Sequence, residues 1–572
     1  MVKPKIYILG LDSATWDLIR PWVAEGKLPN LAKLITQGTS GPLESVIPPI
    51  TPPAWTSFMT GKNPGKHGIF HFFEPEPGGY SMRATSAGSR RATTIWELLS
   101  AAGKTAGTIN VPFTYPPEKL TGFQISGMDT PSEKSPFIHP PELRGELEQA
   151  VGPLRLELRY LSGMNTEEKH QQVLDEMEAV DRQWSKVGFY LLEKHPADVM
   201  MLTFMSVDTV QHHFWHFLDP NHFLHDPKGA EKFGKAIQNV YERLDQIVGE
   251  FISRLPEETT LFVVSDHGGG PVSDRVVYLN RYLAQLGLLK YRVGQGSALK
   301  TLQSKVTRKL YRFMRGALNS DQKKMISNLF PKLRSRADSA YTAFDNIDWS
   351  ATKAYCSETA ASPPSVWINR KGSKPQGIVE DSEYEPLVAL LTEKLKELKD
   401  PRTGEAIIPA IYRRDEVYQG PHAGDSPDLL LDWWSKGRFA SSPSFPEDGD
   451  KPPVFIRERQ PIDMKEHEWG GDHRRDGILI AKGGPIRKDV QINGARLIDM
   501  APTLLYLAGQ KIPSDMDGRV LLDLFEPDFV AQNPVTYDQV DAQDQGGGTG
   551  PTYSAEDAAL VEERLKALGY IE

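Results

Sequence analysis

Aspartate follows three short apolar runs in this chain. KIYILGL (5–11) leads to Asp12, DVMMLTFMSV (198–207) to Asp208, and TTLFVVS (259–265) to Asp266. Histidines stand at ligand spacing around them. His267 adjoins Asp266 in VVSDHGGG, His212 lies four residues after Asp208, and His473 sits in GGDHRRDGILIAKG. Carboxylates gathered in one place repel each other unless a cation neutralises them. Asp and His are also the oxygen and nitrogen donors that zinc, manganese or iron takes. Asp12, Asp208, His212, Asp266, His267 and His473 therefore supply six donors, which suits two divalent ions. A single aspartate after a strand is as readily a turn or helix-cap residue; the coincidence of three with histidines is what points to metal. His216 shares a helical face with Asp208 and His212 and is a rival ligand, whereas His213, His222 and His225 read as surface or packing residues. The glycines after His267 let the backbone turn tightly around a bound group.

Thr51 opens ITPPAWTSFMTGKNPGKHGIF (50–70). Followed by Pro52 and Pro53, it reads as a helix N-cap with proline at the first helical position. A capping role alone would explain it. The same geometry also puts a hydroxyl in the positive field of a helix N-terminus, where an alkoxide or a phosphate is favoured. Beside a metal such a hydroxyl becomes a nucleophile, with Thr56 and Ser57 the nearest substitutes.

These groups need a scaffold that delivers them together. The three apolar runs read as strands buried on both faces of a parallel sheet. Helical stretches alternate with them at 31–36, 94–102 and 233–255, so the expected fold is a doubly wound α/β domain. Ligands of such a sheet bind beyond the carboxyl ends of its strands, where the aspartates fall. DGILIAKG (476–483) is a later strand expected to return to the same sheet. Residues 298–336 hold eleven Lys or Arg and one acid, Asp321, with Val306, Leu310, Met314 and Leu318 recurring every four positions. This is a basic amphipathic insertion, read either as a solvated helix or as a face for an anionic substrate or membrane surface. The expected division is a catalytic core in two parts, 1–290 and 441–525, with the basic helical insertion at 291–345. A small α+β cap at 346–440 contains a helix over 383–398. A linker and C-terminal helix, opened by a Ser554–Asp557 capping pair, occupy 526–572.

Composition narrows the function. The 572 residues carry 66 Lys+Arg against 75 Asp+Glu, a net charge of -9, so no nucleic-acid partner is expected. One cysteine, Cys356, excludes a disulfide framework and a thiolate metal cluster. The N-terminal stretch MVKPKIYILGLDSATWDLI is broken early by Asp12 and is not expected to act as a secretory signal; the expected location is the cytoplasm.

The order of these residues resembles the alkaline phosphatase superfamily: Asp after the first strand, Thr at a helix start, Asp-x-x-x-His, Asp-His, then a late His before a strand. Within it the chain is similar to the type I phosphodiesterase/nucleotide pyrophosphatase branch and the related phosphohydrolase/phosphomutase group. LDSATWDLI, TPPAWTSFMTGKNPGKHGI, SVDTVQHHFWHF and SDHGGG carry the likeness, which covers about 1–290 and 460–525. The resemblance implies two metals about 4 Å apart, one on Asp12, Asp266 and His267, the other on Asp208, His212 and His473. Thr51 would bridge them as nucleophile and pass through a phosphothreonine. It also implies zinc as the metal, with manganese or iron as alternatives. Phe72 stands where the nucleotide enzymes have a phosphoryl-binding Asn, with His71 or Lys66 as substitutes, so the pocket is expected to differ from theirs. Thr51 cannot become formylglycine, which excludes sulfatase chemistry.

The leading reading is thus a two-metal hydrolase of phosphoric esters, a phosphodiesterase by preference because no arginine clamp for a dianionic monoester is evident apart from Arg474 and Arg475. A phosphomutase or phosphotransferase on the same site is the second, and a non-catalytic member of the fold the third. An anionic lipid or a phosphorylated glycan would suit the basic insertion.

Overall fold

Ile6–Leu11, Val199–Phe204 and Thr260–Val264 form three adjacent parallel strands at the centre of a ten-stranded sheet. The computed structural model describes residues 4–76, 79–80, 82–156, 166–292, 346–357, 364–435, 439–441, 450–457, 470–540 and 553–567. Across the sheet the strands run Val490–Gln491, Thr39–Glu44, Asp476–Lys482, Thr260–Val264, Ile6–Leu11, Val199–Phe204, Ala106–Val111, Gly122–Ser126 and Ile138–His139, with Ala495–Arg496 also paired to Thr39–Glu44. Asp476–Lys482 does return to the sheet, antiparallel to both its neighbours.

Both faces of this sheet are covered, which is why its strands are apolar without alternation. Tyr7, Leu9 and Leu11 face one apolar layer, and Ile6 and Ile8 face the other. Each such side chain, fully withdrawn from water, contributes about 2 kcal/mol. The helices Pro29–Gln37 and Ala236–Arg254 bury Leu31, Leu34, Val240, Leu244 and Phe251 on the first face. Thr51–Thr60, Ile95–Ala101 and Met500–Leu507 cover the second. The helix expected over 233–255 is present as Ala236–Arg254; its first residues differ because Gly234 and Lys235 part it from a preceding helix, Pro227–Phe233. The 198–207 run stops as a strand at Phe204, and Ser206 and Val207 already belong to the next helix.

A second, antiparallel sheet joins Ala354–Tyr355, Ser365–Ile368, Leu429–Leu431 and Ile411–Arg413 in that order. Helix Asp381–Lys396 packs on it through Leu387, Val388, Leu391 and Leu395. The resulting apolar cluster also takes in Ile47 and Ile50, so this sheet braces the segment leading into Thr51. A C-terminal helix, Ala555–Ala567, begins with Ser554 accepting from Asp557 N. The basic stretch 298–336 lies outside the described residues. Among those described, no helix is long and apolar enough to cross a membrane.

Candidate active site

The three central strands end side by side, and the chain carries an aspartate beyond each. Asp12 follows Leu11 directly and anchors its own N–H on Phe204 O, 3.0 Å away. Asp208 sits in the first turn of helix Ser206–Leu218, and Asp266 is two residues past Val264. All three are buried. The 3.6-residue period sets His212 on the face of Asp208, with Nε2 3.2 Å from Asp208 Oδ1. His473 arrives from far along the chain on strand Gly471–Arg474, which pairs antiparallel with Gly268–Pro271 and sets His473 opposite Gly269. Its Nε2 lies 3.4 Å from Asp208 Oδ1. His267 Nε2 lies 3.2 Å from Asp266 Oδ2 and 3.7 Å from Asp12 Oδ1.

Two groups of buried donors result, Asp208–His212–His473 and Asp12–Asp266–His267, and within each the donor atoms lie within 4.8 Å of one another. The groups touch, because the rings of His267 and His473 stack with centroids 3.9 Å apart. Thr51 Oγ1 is 3.5 Å from His267 Nε2. All six expected ligand residues and the expected nucleophile are therefore brought together.

The hydrogen bonding fits cations. A carbonyl can only accept, so each imidazole that meets one through Nδ1 carries its proton there. His212 does so on Gly471 O (2.9 Å), His473 on Pro49 O (3.0 Å) and His267 on Gly268 O (3.2 Å). That orientation turns all three Nε2 atoms inward, the arrangement of histidines that ligate metal. Asp12 Oδ1 and Asp266 Oδ2 are buried without a hydrogen-bond donor among the described residues. Burial, then the charges of Asp266 and Asp208, push the Asp12 carboxyl well above the usual range; burial and Asp208 do the same to Asp266. Burial also acts to raise Asp208, but His212 and His473 outweigh it and hold this carboxyl well below that range. Burial, then His473, holds His267 well below the ordinary imidazole value. Negative charge is thus crowded into a dry site that lacks a counter-charge on one side, which two divalent ions would supply.

Sequence comparison agrees with this geometry. Residues 7–444 match the type I phosphodiesterase / nucleotide pyrophosphatase family. The chain belongs to that family. It is a phosphoester hydrolase. No curated protein matches it. Among solved structures, murine ectonucleotide pyrophosphatase / phosphodiesterase 5 in complex with AMP is 13% identical, with 92% of this chain and 100% of that one covered at a TM-score of 0.47. Phosphonoacetate hydrolase from Sinorhizobium meliloti in complex with phosphonoformate is 14% identical over 87% of this chain and 94% of its own, with a TM-score of 0.49.

In this hydrolase Thr51 is not the N-cap. Ile50 holds that position in extended conformation and its carbonyl accepts from Ala54 N, so Thr51 is the first helical residue. Pro52 and Pro53 have no N–H to offer an anion. Ser57 is buried on His67, with Oγ 2.8 Å from Nε2. Because Ile69 N donates to His67 Nδ1, that Nε2 carries the proton and cannot remove one from Ser57. His216 packs on Phe217, with centroids 4.0 Å apart, and belongs to neither donor group. Lys66 ion-pairs with Asp517, and His71 accepts from Phe73 N. Arg474 spends its guanidinium on the carbonyls of His473 and Pro271, and Arg475 pairs with Glu44.

The glycines after His267 serve close approach rather than a tight turn. They form strand Gly268–Pro271, and a Cβ at Gly268 would stand 2.2 Å from Asp476 O. Supporting residues that no sequence signal singled out complete the site. Trp55 Nε1 donates to Asp12 Oδ2 at 2.7 Å. Gln211 Nε2 donates to Ser13 O at 2.8 Å, while Ser13, at φ 64, donates its N–H to Asp266 Oδ1 at 3.3 Å.

Proposed function

We propose that this hydrolase is a two-metal phosphodiesterase in which Thr51 is the nucleophile. The observation that carries the reading is a pair of adjoining buried Asp/His triads, one of which reaches a hydroxyl in the first turn of a helix. Asp12, Asp266 and His267 would hold one divalent ion and Asp208, His212 and His473 the other; three carboxylates with three imidazoles favour zinc. Such ions, when bound, supply stabilisation of negative charge on the threonine oxygen and on the ester oxygens. Thr51 Oγ1 bonds to phosphorus as the bond to the leaving alcohol oxygen breaks with its electron pair, and the proton lost by the threonine hydroxyl leaves on that alcohol. Water then cleaves the phosphothreonine and the hydroxyl is restored. Trp55 and the three backbone carbonyls keep the donor set in one orientation throughout.

The preference for diesters rests on the engagement of Arg474, Arg475 and Lys66 elsewhere, which leaves a second ester substituent, rather than a second negative charge, as the better fit. The test is metal analysis of the purified protein with a panel of bis-aryl and mono-aryl phosphates. Two metal equivalents and faster turnover of the bis-aryl esters support the reading. A metal-free protein that still hydrolyses, or transfer of phosphate to a second substrate in place of release, overturns it.

A further inference from the structure

Strand Leu429–Leu431 of the smaller sheet runs straight into Asp432, Trp433 and Trp434. Asp432 pins the turn by accepting from Ser435 N at 3.0 Å and Ser435 Oγ at 2.7 Å. Trp434 stacks near Tyr412, with centroids 6.0 Å apart. Trp433 stands beside the donor site: its ring centroid is 6.3 Å from that of His473. It shares an apolar cluster with Ile47 and Ile50, the latter adjoining Thr51, while His473 itself is tied to Pro49 O. The smaller sheet thus carries an indole to the flank of the Asp208–His212–His473 group.

Trp433 is only 8% exposed, and its Nε1 is buried with no acceptor among the described residues. An indole N–H only donates, and a buried donor left unmet carries a desolvation penalty. Trp96 and Trp184 also bury this atom without an acceptor, but both lie in the two apolar layers on the main sheet. Trp433 is the one of the three whose ring neighbours include a candidate metal ligand. An acceptor that arrives with the substrate would complete it, and in a phosphoester hydrolase that acceptor is an anionic oxygen.

We propose that Trp433 is a substrate-binding residue whose indole N–H donates to an oxygen of the phosphoric ester beside His473. This rests on the phosphodiesterase reading of the site and adds a contact from outside the main sheet.

The test uses the full-length, metal-loaded chain and inorganic phosphate as probe. The indole N–H resonances, from 11 tryptophans, are followed by NMR during titration. One is expected to move, and to be missing from W433F. The same substitution, which keeps an aromatic ring and removes the donor, should raise KM for a bis-aryl phosphate about tenfold and weaken phosphate inhibition equally, with metal content and melting temperature kept. The inference is overturned if phosphate binds and no indole resonance moves, if the moving resonance survives in W433F, or if KM and inhibition stay within about twofold of wild type. A wild-type chain that neither binds phosphate nor hydrolyses any phosphate ester brings down the phosphodiesterase reading and this inference with it. Should W433F not fold, W433L, which also lacks a donor, replaces it, and the wild-type titration stands without a variant.

Discussion

His212 Nε2 and His473 Nε2 lie 2.9 Å apart although 261 residues separate them in the chain. With both Nδ1 atoms donating to carbonyls, the two facing nitrogens present lone pairs to each other unless a proton or a cation lies between them. Asp208 Oδ1 stands within 3.4 Å of both, so a cation is the better occupant.

Chelation should therefore do more than stop turnover. Removing the ions would leave Asp12, Asp208 and Asp266 buried and mutually repulsive, so the melting temperature should fall by several degrees and recover on adding back a divalent metal. Differential scanning calorimetry with and without chelator measures this. His473→Ala should bind one metal equivalent fewer than wild type by elemental analysis. An unchanged metal count in that variant would remove His473 from the ligand set.

If Thr51 is the nucleophile as proposed, Thr51→Ala should lower kcat by about 10³-fold or more while both metal equivalents stay bound, because only the attacking oxygen would be lost. Thr51→Ser keeps a hydroxyl at the same helical position and should retain measurable turnover. Rapid quenching of wild type with a radiolabelled diester, followed by peptide mapping, should place label on Thr51 and on no other hydroxyl.

The central strands and two of the three histidines that meet their aspartates are legible because each is a local signal: an apolar run without alternation, then a carboxylate, then a histidine one or four residues on. The features that escaped depend on contacts remote in sequence. Trp55 reads only as part of an apolar helix, yet its N–H fixes Asp12. Gly268 to Gly270 read as a turn, because nothing local reveals that strand Gly471–Arg474 will pair with them and that Asp476 O and Gln211 will crowd their bare faces. Thr51 stands one residue inside the expected cap: the Pro52–Pro53 pair marks a helix start, but which residue caps it depends on the Ile50 carbonyl meeting Ala54 N. The 233–255 helix begins at Ala236 because Gly234 and Lys235 close the helix before it, where periodicity alone runs on.

Trp55→Phe tests the least legible of these contacts. The substitution keeps the ring packed against Phe58 and deletes the donor 2.7 Å from Asp12 Oδ2. Outer partners of this kind typically tune metal affinity 10- to 100-fold, so zinc affinity should fall by about that factor, with folding intact. Competition against a chromogenic chelator reads the affinity directly. Equal affinities would mean that Asp12 is held by the strand end alone.

Acid should loosen the same site through a residue that is not one of its candidate ligands. His222 Nε2 donates to Gly470 O at 2.9 Å while its Nδ1 accepts from Leu224 N at 3.0 Å, so the ring must be neutral to make both bonds. Burial pushes its pKa down to about 4 from the ordinary 6.5. Between those values the unfolded chain binds the proton and the folded one does not, so stability present above pH 6.5 is lost as the pH falls towards 4. The full effect is about 3 kcal/mol. Gly470 N in turn donates to His212 O at 2.7 Å and leads into the strand of His473, so protonation at His222 strains the segment that delivers that ligand. Urea midpoints at pH 7.5 and pH 5 should differ more for wild type than for His222→Gln, which cannot titrate there. Parallel pH profiles for the two proteins would show that the ring already carries its second proton in the fold.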